Sequence, residues 1–300
     1  MKEYNFTIGG HGIRIQFTDN TESDITLLPS FMPFTCKEDK NEETLFTLTV
    51  DDTLRPEPQK TLIRNFDTGN GDTAVYLLSD GGYQYIIRDI HGRSCCLLIC
   101  HNEFRNCKCA LNGNWTMRSF GLNDALMLVY AFAGAYQKTL LIHASCISYK
   151  GKAFPFHAKS GTGKSTHTSL WMKYIEEVEL MNDDNPIVRI EADGQPYIYG
   201  SPWSGKTPCY RNVKVRLGAL TRIERANDNH LEREPVVQAF ASLLPACSSM
   251  KWDSTLYNHL CNTLSDLIAS VPVCTMYCKP DEEAARVSCQ RLTELTQKAN

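Results

Sequence analysis

The stretch Phe154-Pro155-Phe156-His157-Ala158-Lys159-Ser160-Gly161-Thr162-Gly163-Lys164-Ser165-Thr166 reads, in order, as an apolar strand, a glycine-containing turn and the opening of a helix. Gly161 and Gly163 let the backbone curl so that successive N–H groups point inward, forming a nest for anionic oxygens. The helix start behind them adds unpaired N–H groups and the positive end of its dipole. From this position Lys164 reaches the β- and γ-phosphates of a nucleotide, and the Ser165 hydroxyl meets Mg²⁺. The fully written pattern has glycine where this chain has Ala158, a change the loop tolerates while that backbone stays at negative φ. At average residue frequencies, Gly-x-Gly-Lys-Ser/Thr arises by chance in roughly one chain in a hundred of this length. The competing reading is a glycine turn merely capped by Ser165 and Thr166. The strand–turn–helix context favours phosphate binding by Ser160, Gly161, Thr162, Gly163, Lys164, Ser165 and Thr166.

A phosphate loop needs an acid to hold its metal, usually at the end of a neighbouring strand. The next apolar run is Val178-Glu179-Leu180-Met181, and Asn182-Asp183-Asp184-Asn185 follows at once. Two adjacent carboxylates can divide the work there. One serves Mg²⁺ while the other faces an acceptor hydroxyl as general base. Their repulsion raises one pKa, and a metal opposes that rise. An Asx-rich turn before Pro186 would read the same way in isolation. Its place behind an apolar strand, shortly after Lys164, favours chemistry.

Strands and helices alternate around this segment. Strands are expected at 140–148, 152–156, 178–181 and 271–277, and helices at 123–137, 164–176 and 281–297. A further helix carries Leu256, Leu260, Leu264 and Leu267 on one side. Upstream, Ile13, Ile15 and Phe17, then Phe46, Leu48 and Val50, alternate with polar residues as one-sided strands do. Further strands are expected at 73–78, 83–90 and 94–100, with a charged, proline-bearing loop at 51–60. The expectation is an α/β protein (α+β overall) with a β-rich N-terminal module over 1–115 and a nucleotide-binding, kinase-like domain over 116–300.

Composition narrows the class. The 300 residues are 42% apolar and 22% charged, which argues against extended disorder, and a formal charge of −3 gives no electrostatic reason to expect nucleic acid. The longest apolar run, 125–136, is too short to cross a bilayer, so no membrane is expected as a partner. Met1-Lys2-Glu3-Tyr4-Asn5-Phe6 lacks the apolar core of an export signal, so a cytoplasmic location is expected. Thirteen cysteines invite a zinc reading around Cys95, Cys96, Cys100, His101, Cys107 and Cys109. No paired C-x₂-C knuckle supports it, and adjacent Cys95 and Cys96 point to opposite strand faces. Buried, unlinked thiols are expected there and at Cys274 and Cys278.

Three segments taken together resemble a known family: Leu141-Ile142-His143-Ala144-Ser145, the 160–166 loop, and Asp183-Asp184. The resemblance is to the HPr kinase/phosphorylase catalytic domain, within the wider phosphoenolpyruvate carboxykinase-like group. Ser201-Pro202-Trp203-Ser204-Gly205-Lys206 is similar to a Pro-Trp segment found in many members. The likeness spans about 139–215, extends loosely through the remaining C-terminal half, and hardly touches the front module. It implies that family's P-loop fold, ATP and Mg²⁺, phosphates on the 161–166 loop, Asp183 as base, and Asp184 with Ser165 on the metal. It also implies His143 beside the base and the reacting phosphate, and assembly as a homo-oligomer.

By residue type alone, a histidine in an apolar strand is more often a hydrogen-bonded core residue than a catalyst. The order of histidine, loop and paired aspartates makes His143 a catalytic candidate, able to steady Asp183 or meet the transferred phosphoryl group. His157 lacks that support and reads as structural. Lys206 and, behind it, Arg211 are candidates to neutralise the transferred phosphoryl group, against the bland reading of a solvated loop. The leading function is an ATP- and Mg²⁺-dependent kinase acting on a hydroxyl acceptor, either a protein serine, a peptide or a small molecule. The alternative is a non-catalytic ATP-binding sensor, or an accessory protein for a partner enzyme or peptide-modification system. A carboxykinase proper is longer, and its oxaloacetate-binding segments are not recognisable here.

Overall fold

The computed structural model describes residues 1–36, 44–67 and 71–297. The chain divides into two compact units, Met1–Gly134 and Ala135–Asn300. Among the described residues no helix is long and apolar enough to cross a membrane.

The first unit is an eight-stranded sheet. Its strands are β1 (Lys2–Ile8), β2 (His11–Phe17), β3 (Phe46–Val50), β4 (Lys60–Asp67), β5 (Gly71–Leu78), β6 (Tyr83–Asp89), β7 (Ser94–His101) and β8 (Asn106–Leu111). They lie in the order β1-β2-β3-β8-β7-β6-β5-β4. The period-two pattern of β2 and β3 buries Ile13, Ile15, Phe17, Phe46, Leu48 and Val50, as their spacing requires. Helix α1 (Trp115–Ala135) completes this unit. Arg118 donates to Asp52 Oδ2 at 2.8 Å, and the Tyr130 hydroxyl donates to the Ile8 carbonyl at 3.1 Å. A Cβ on Gly121 would lie 2.9 Å from the Cys95 carbonyl and the Cys96 Cβ, so only glycine lets the helix sit this close. The division at 134 therefore differs from the one expected at 115, because the helix assigned to the second domain packs on the first sheet. Cys95, Cys96, Cys100, Cys107 and Cys109 are free, buried thiols on β7 and β8.

The second unit is built on a ten-stranded mixed sheet. Its strands are β9 (Thr139–Leu141), β10 (Ala144–Tyr149), β11 (Lys152–His157), β12 (Glu179–Asn182), β13 (Ile187–Ile190), β14 (Pro196–Tyr199), β15 (Lys214–Leu217), β16 (Leu220–Arg225), β17 (His230–Arg233) and β18 (Val273–Cys278). The order is β17-β18-β16-β11-β15-β14-β13-β9, with β10 pairing β11 and β12. Strand β11 runs parallel to β15 and β16, and β16 parallel to β18. The helices are α2 (Lys164–Tyr174), α3 (Val236–Leu243), α4 (Ser254–Ser270) and α5 (Glu282–Gln297). Leu260, Leu264 and Leu267 of α4 pack with Ala144, Cys146, Ala153 and Leu220. Trp171 of α2 and Ala284, Cys289 and Leu292 of α5 pack with Phe154, Phe156 and Met276. Ala153 and Phe154 are successive strand residues, so these cores lie on opposite faces of a helix–sheet–helix sandwich.

The single strand expected over 140–148 is two strands. Between them Ile142 donates to the Pro186 carbonyl at 3.2 Å and His143 to that of Ala246 at 2.8 Å. Ala144 then donates to the Asp184 carbonyl at 2.9 Å. The backbone thus changes partners at His143, leaving its side chain outside the sheet.

Candidate functional site

Strand β11 ends at His157, and α2 begins at Lys164. The turn between them is closed by a Thr162 N–H donating to the Lys159 carbonyl at 3.2 Å. Gly161 has φ +76 and Gly163 φ +130, conformations that side-chain-bearing residues rarely adopt. A Cβ at either glycine would meet nothing within 4 Å, so backbone conformation, rather than space, requires glycine there. Ser160, Gly161, Ser165 and Thr166 are exposed, Thr162 and Gly163 are half-buried, and Lys164 is buried.

The carboxylate turn follows β12. Asn182, fully buried, accepts through Oδ1 from the Asp184 and Asn185 N–H groups, both at 2.9 Å. Its Nδ2 donates to the Trp203 carbonyl at 3.0 Å and to Ser201 Oγ at 3.1 Å. The turn is therefore tied to the Pro-Trp segment by one amide side chain. A Cβ on Gly205 would lie 2.8 Å from the Asp183 carbonyl, so that segment is also in van der Waals contact with the turn.

The two aspartates have different surroundings. Asp183 is buried, and its Oδ1 accepts from Ser145 Oγ at 2.6 Å. Ser145 Oγ lies 2.8 Å from Thr168 Oγ1 on α2, and Thr168 lies 3.1 Å from the Ser165 carbonyl. Oδ2 of Asp183 is buried with no hydrogen-bond partner among the described residues. An uncompensated buried carboxylate oxygen is costly. Asp184 is half-exposed, with Oδ1 3.3 Å from His143 Nε2 and Oδ2 accepting from Asn185 at 2.6 Å.

Lys164 Nζ lies 3.0 Å from the same His143 Nε2 and 3.4 Å from the Ala158 carbonyl. Lysine, histidine and aspartate thus form one cluster. Burial lowers the Lys164 pKa, against the opposing pull of Asp184 and Asp183. Burial, then Lys164, lowers that of His143. Burial raises the Asp184 carboxyl, with His143 and Lys164 opposing and Asp183 adding to the rise. The single Nε2 of His143 faces both groups: unprotonated it accepts from the Lys164 ammonium, and protonated it donates to Asp184.

The structure brings His143, Lys164 and Asp184 into contact and sets Asp183 beside them. It does not bring in the Lys206 side chain, which is exposed and makes no hydrogen bond or ion pair among the described residues, although its neighbour Gly205 packs on the turn. Arg211 is engaged elsewhere, donating to the Leu180 carbonyl at 2.7 Å and pairing with Glu179 at 2.7 Å. His157 is buried, and burial followed by Arg222 and Lys164 pulls its pKa down to about 3. Asn182, Ser145 and Thr168 carry the architecture and were not singled out from sequence. The one available signal was Ser145, which lies two positions after His143 at the start of β10.

No protein-family model matches the chain, and no curated protein matches it. Among solved structures it is similar to the Hpr(Ser) kinase/phosphatase from Coxiella burnetii, at a TM-score of 0.31 and 10% identity, covering 53% of this chain and 95% of that one. A likeness of that size carries no argument, and the functional reading rests on this chain's own residues.

Proposed function

We propose that the second unit is an ATP- and Mg²⁺-dependent phosphotransferase acting on a hydroxyl acceptor. The observation that carries the reading is the meeting of Lys164, at the start of α2 behind two left-handed glycines, with Asp184 and His143, beside the orphaned Asp183 oxygen. Phosphates would lie on the 160–166 loop, on N–H groups at the α2 start, with Lys164 countering β- and γ-phosphate charge.

The residues fit Mg²⁺. Asp183, Asp184 and Ser165 offer hard oxygen donors, and no group of three His, Cys, Asp or Glu side chains is assembled among the described residues. One or two carboxylates completed by nucleotide phosphates is the usual Mg²⁺ arrangement. In this reading Ser165 and Asp184 hold the ion, whose role is to neutralise charge developing on the phosphates. Asp183 takes the acceptor proton through Oδ2, the oxygen that Ser145 leaves free. His143 releases Lys164 to the phosphates and stays beside Asp184. Lys206 enters only by swinging toward the transferred group from its loop. A cytoplasmic location and self-assembly are part of the same reading.

The test is incubation with Mg²⁺–ATP and a panel of serine peptides and small hydroxyl acceptors, comparing wild type with Lys164→Ala and Asp183→Asn. Acceptor-dependent ADP release abolished by both changes supports the reading. Full-rate transfer by Asp183→Asn would sink the base assignment. Tight ATP binding without transfer to any acceptor would favour a nucleotide sensor or accessory protein.

A further inference from the structure

The 158–163 turn is held from outside by one residue that neither the glycine pattern nor the paired aspartates point to. Strand β16 runs parallel to β11, with Phe156 opposite Thr221 and His157 opposite Arg222. Beyond His157 the first chain turns into the glycine loop, while β16 continues alongside it to Arg225. The Arg225 guanidinium donates through one terminal nitrogen to the Gly161 carbonyl at 2.6 Å and through Nε to the Thr162 carbonyl at 3.1 Å. Arg225 is exposed, and its guanidinium has no carboxylate partner among the described residues.

That contact fixes the direction of two peptide groups. In a planar trans peptide the C=O and the following N–H point oppositely. Turning the Gly161 carbonyl toward Arg225 aims the Thr162 N–H back to the Lys159 carbonyl, the bond that closes the turn. Turning the Thr162 carbonyl the same way sends the Gly163 N–H to the other side, in line with the free N–H groups opening α2. Without the clamp, a turn with two left-handed glycines has many conformations to lose when a ligand binds.

We propose that Arg225 is a positioning residue that preorganises this loop for the polyphosphate of a nucleotide, by holding two carbonyls out so that the turn stays closed and the Gly163 N–H faces the anion. This rests on the nucleotide reading above. The planar guanidinium fork suits two successive carbonyls, whereas a lysine ammonium supplies the charge without the fork.

The test is calorimetric titration of ADP, inorganic tripolyphosphate and adenosine into wild type, Arg225→Ala and Arg225→Lys, with amide hydrogen exchange at 162. Arg225→Ala is expected to weaken ADP and tripolyphosphate about tenfold, a loss typical of charge-assisted hydrogen bonds, to leave adenosine unchanged, and to speed exchange at the Thr162 amide. Arg225→Lys should recover less than half of that loss on a logarithmic scale. Affinity unchanged in Arg225→Ala, full recovery by lysine, or equal weakening toward adenosine would each overturn the role. Absence of ADP and tripolyphosphate binding to wild type would instead overturn the nucleotide reading, and the role with it.

Discussion

Asn182→Ala removes the side chain on which the carboxylate turn is built. The lost bonds are two accepted from the Asp184 and Asn185 N–H groups at 2.9 Å, and those donated to Trp203 and Ser201 at 3.0 and 3.1 Å. The site is fully buried, so water cannot take the place of the amide without the turn opening. Each stranded buried N–H costs about 1–3 kcal/mol, and the vacated volume adds to it, so the expected loss is about 3–5 kcal/mol. The assay is urea unfolding followed by tryptophan fluorescence, since Trp171 and Trp203 of the second unit are buried. Asn182→Asp keeps an acceptor for the two N–H groups but loses both donated bonds and adds charge beside Asp183 and Asp184, so it should be at least as damaging. ADP affinity without Mg²⁺ should survive in whatever fraction stays folded, because the loop is built independently, while the gain on adding Mg²⁺ should shrink. A stability loss below about 1 kcal/mol, with Mg²⁺ coupling intact, would refute the reasoning.

Ser145→Ala and Thr168→Val cut the hydroxyl chain between Asp183 and α2. Each should lower turnover by about tenfold or more with little change in nucleotide KM, and Thr168→Ser should restore most of it; steady-state kinetics on a working acceptor reads the split. Gly205→Ala places a Cβ 2.8 Å from the Asp183 carbonyl, so it should destabilise the second unit by about 1–3 kcal/mol and depress transfer, read by thermal unfolding and turnover. Asp124 on α1 has its carboxyl raised from 3.8 to about 7 by burial. Its folded state therefore favours the protonated form: the contribution of this one group to stability is fully present at low pH, falls as pH rises from about 4, and levels off above 7, by about 4 kcal/mol in all. Asp124→Asn should flatten that limb of the stability–pH curve for the first unit; an unchanged curve would contradict the burial argument.

Legibility in the sequence followed physical periodicity. The β11–turn–α2 segment was readable because glycine, lysine and hydroxyl residues there do what few other residues can. β2, β3, α4 and α5 were readable because one buried face imposes a period of 2 or 3.6. Strand β4 was not, because most of its residues are exposed and no alternation marks it. The packing of α1 on the first sheet was not readable, because its long apolar run does not say which sheet it covers. The break at His143 was hidden because the backbone exchanges partners there through contacts with Pro186, Ala246 and Asp184, all distant in sequence. Arg225 was invisible for the same reason: 63 residues separate it from the Thr162 carbonyl it holds.

The central claim is that nucleotide phosphates lie on the 160–166 loop. A crystal structure of the protein with Mg²⁺ and a non-hydrolysable ATP analogue tests it most directly. The account predicts β-phosphate oxygens within hydrogen-bond distance of the Gly163 and Lys164 N–H groups, Lys164 Nζ moved from His143 onto the phosphates, and Mg²⁺ on Asp184 and Ser165. A nucleotide bound elsewhere, or a loop left empty with Lys164 still on His143 at saturating ligand, would contradict it.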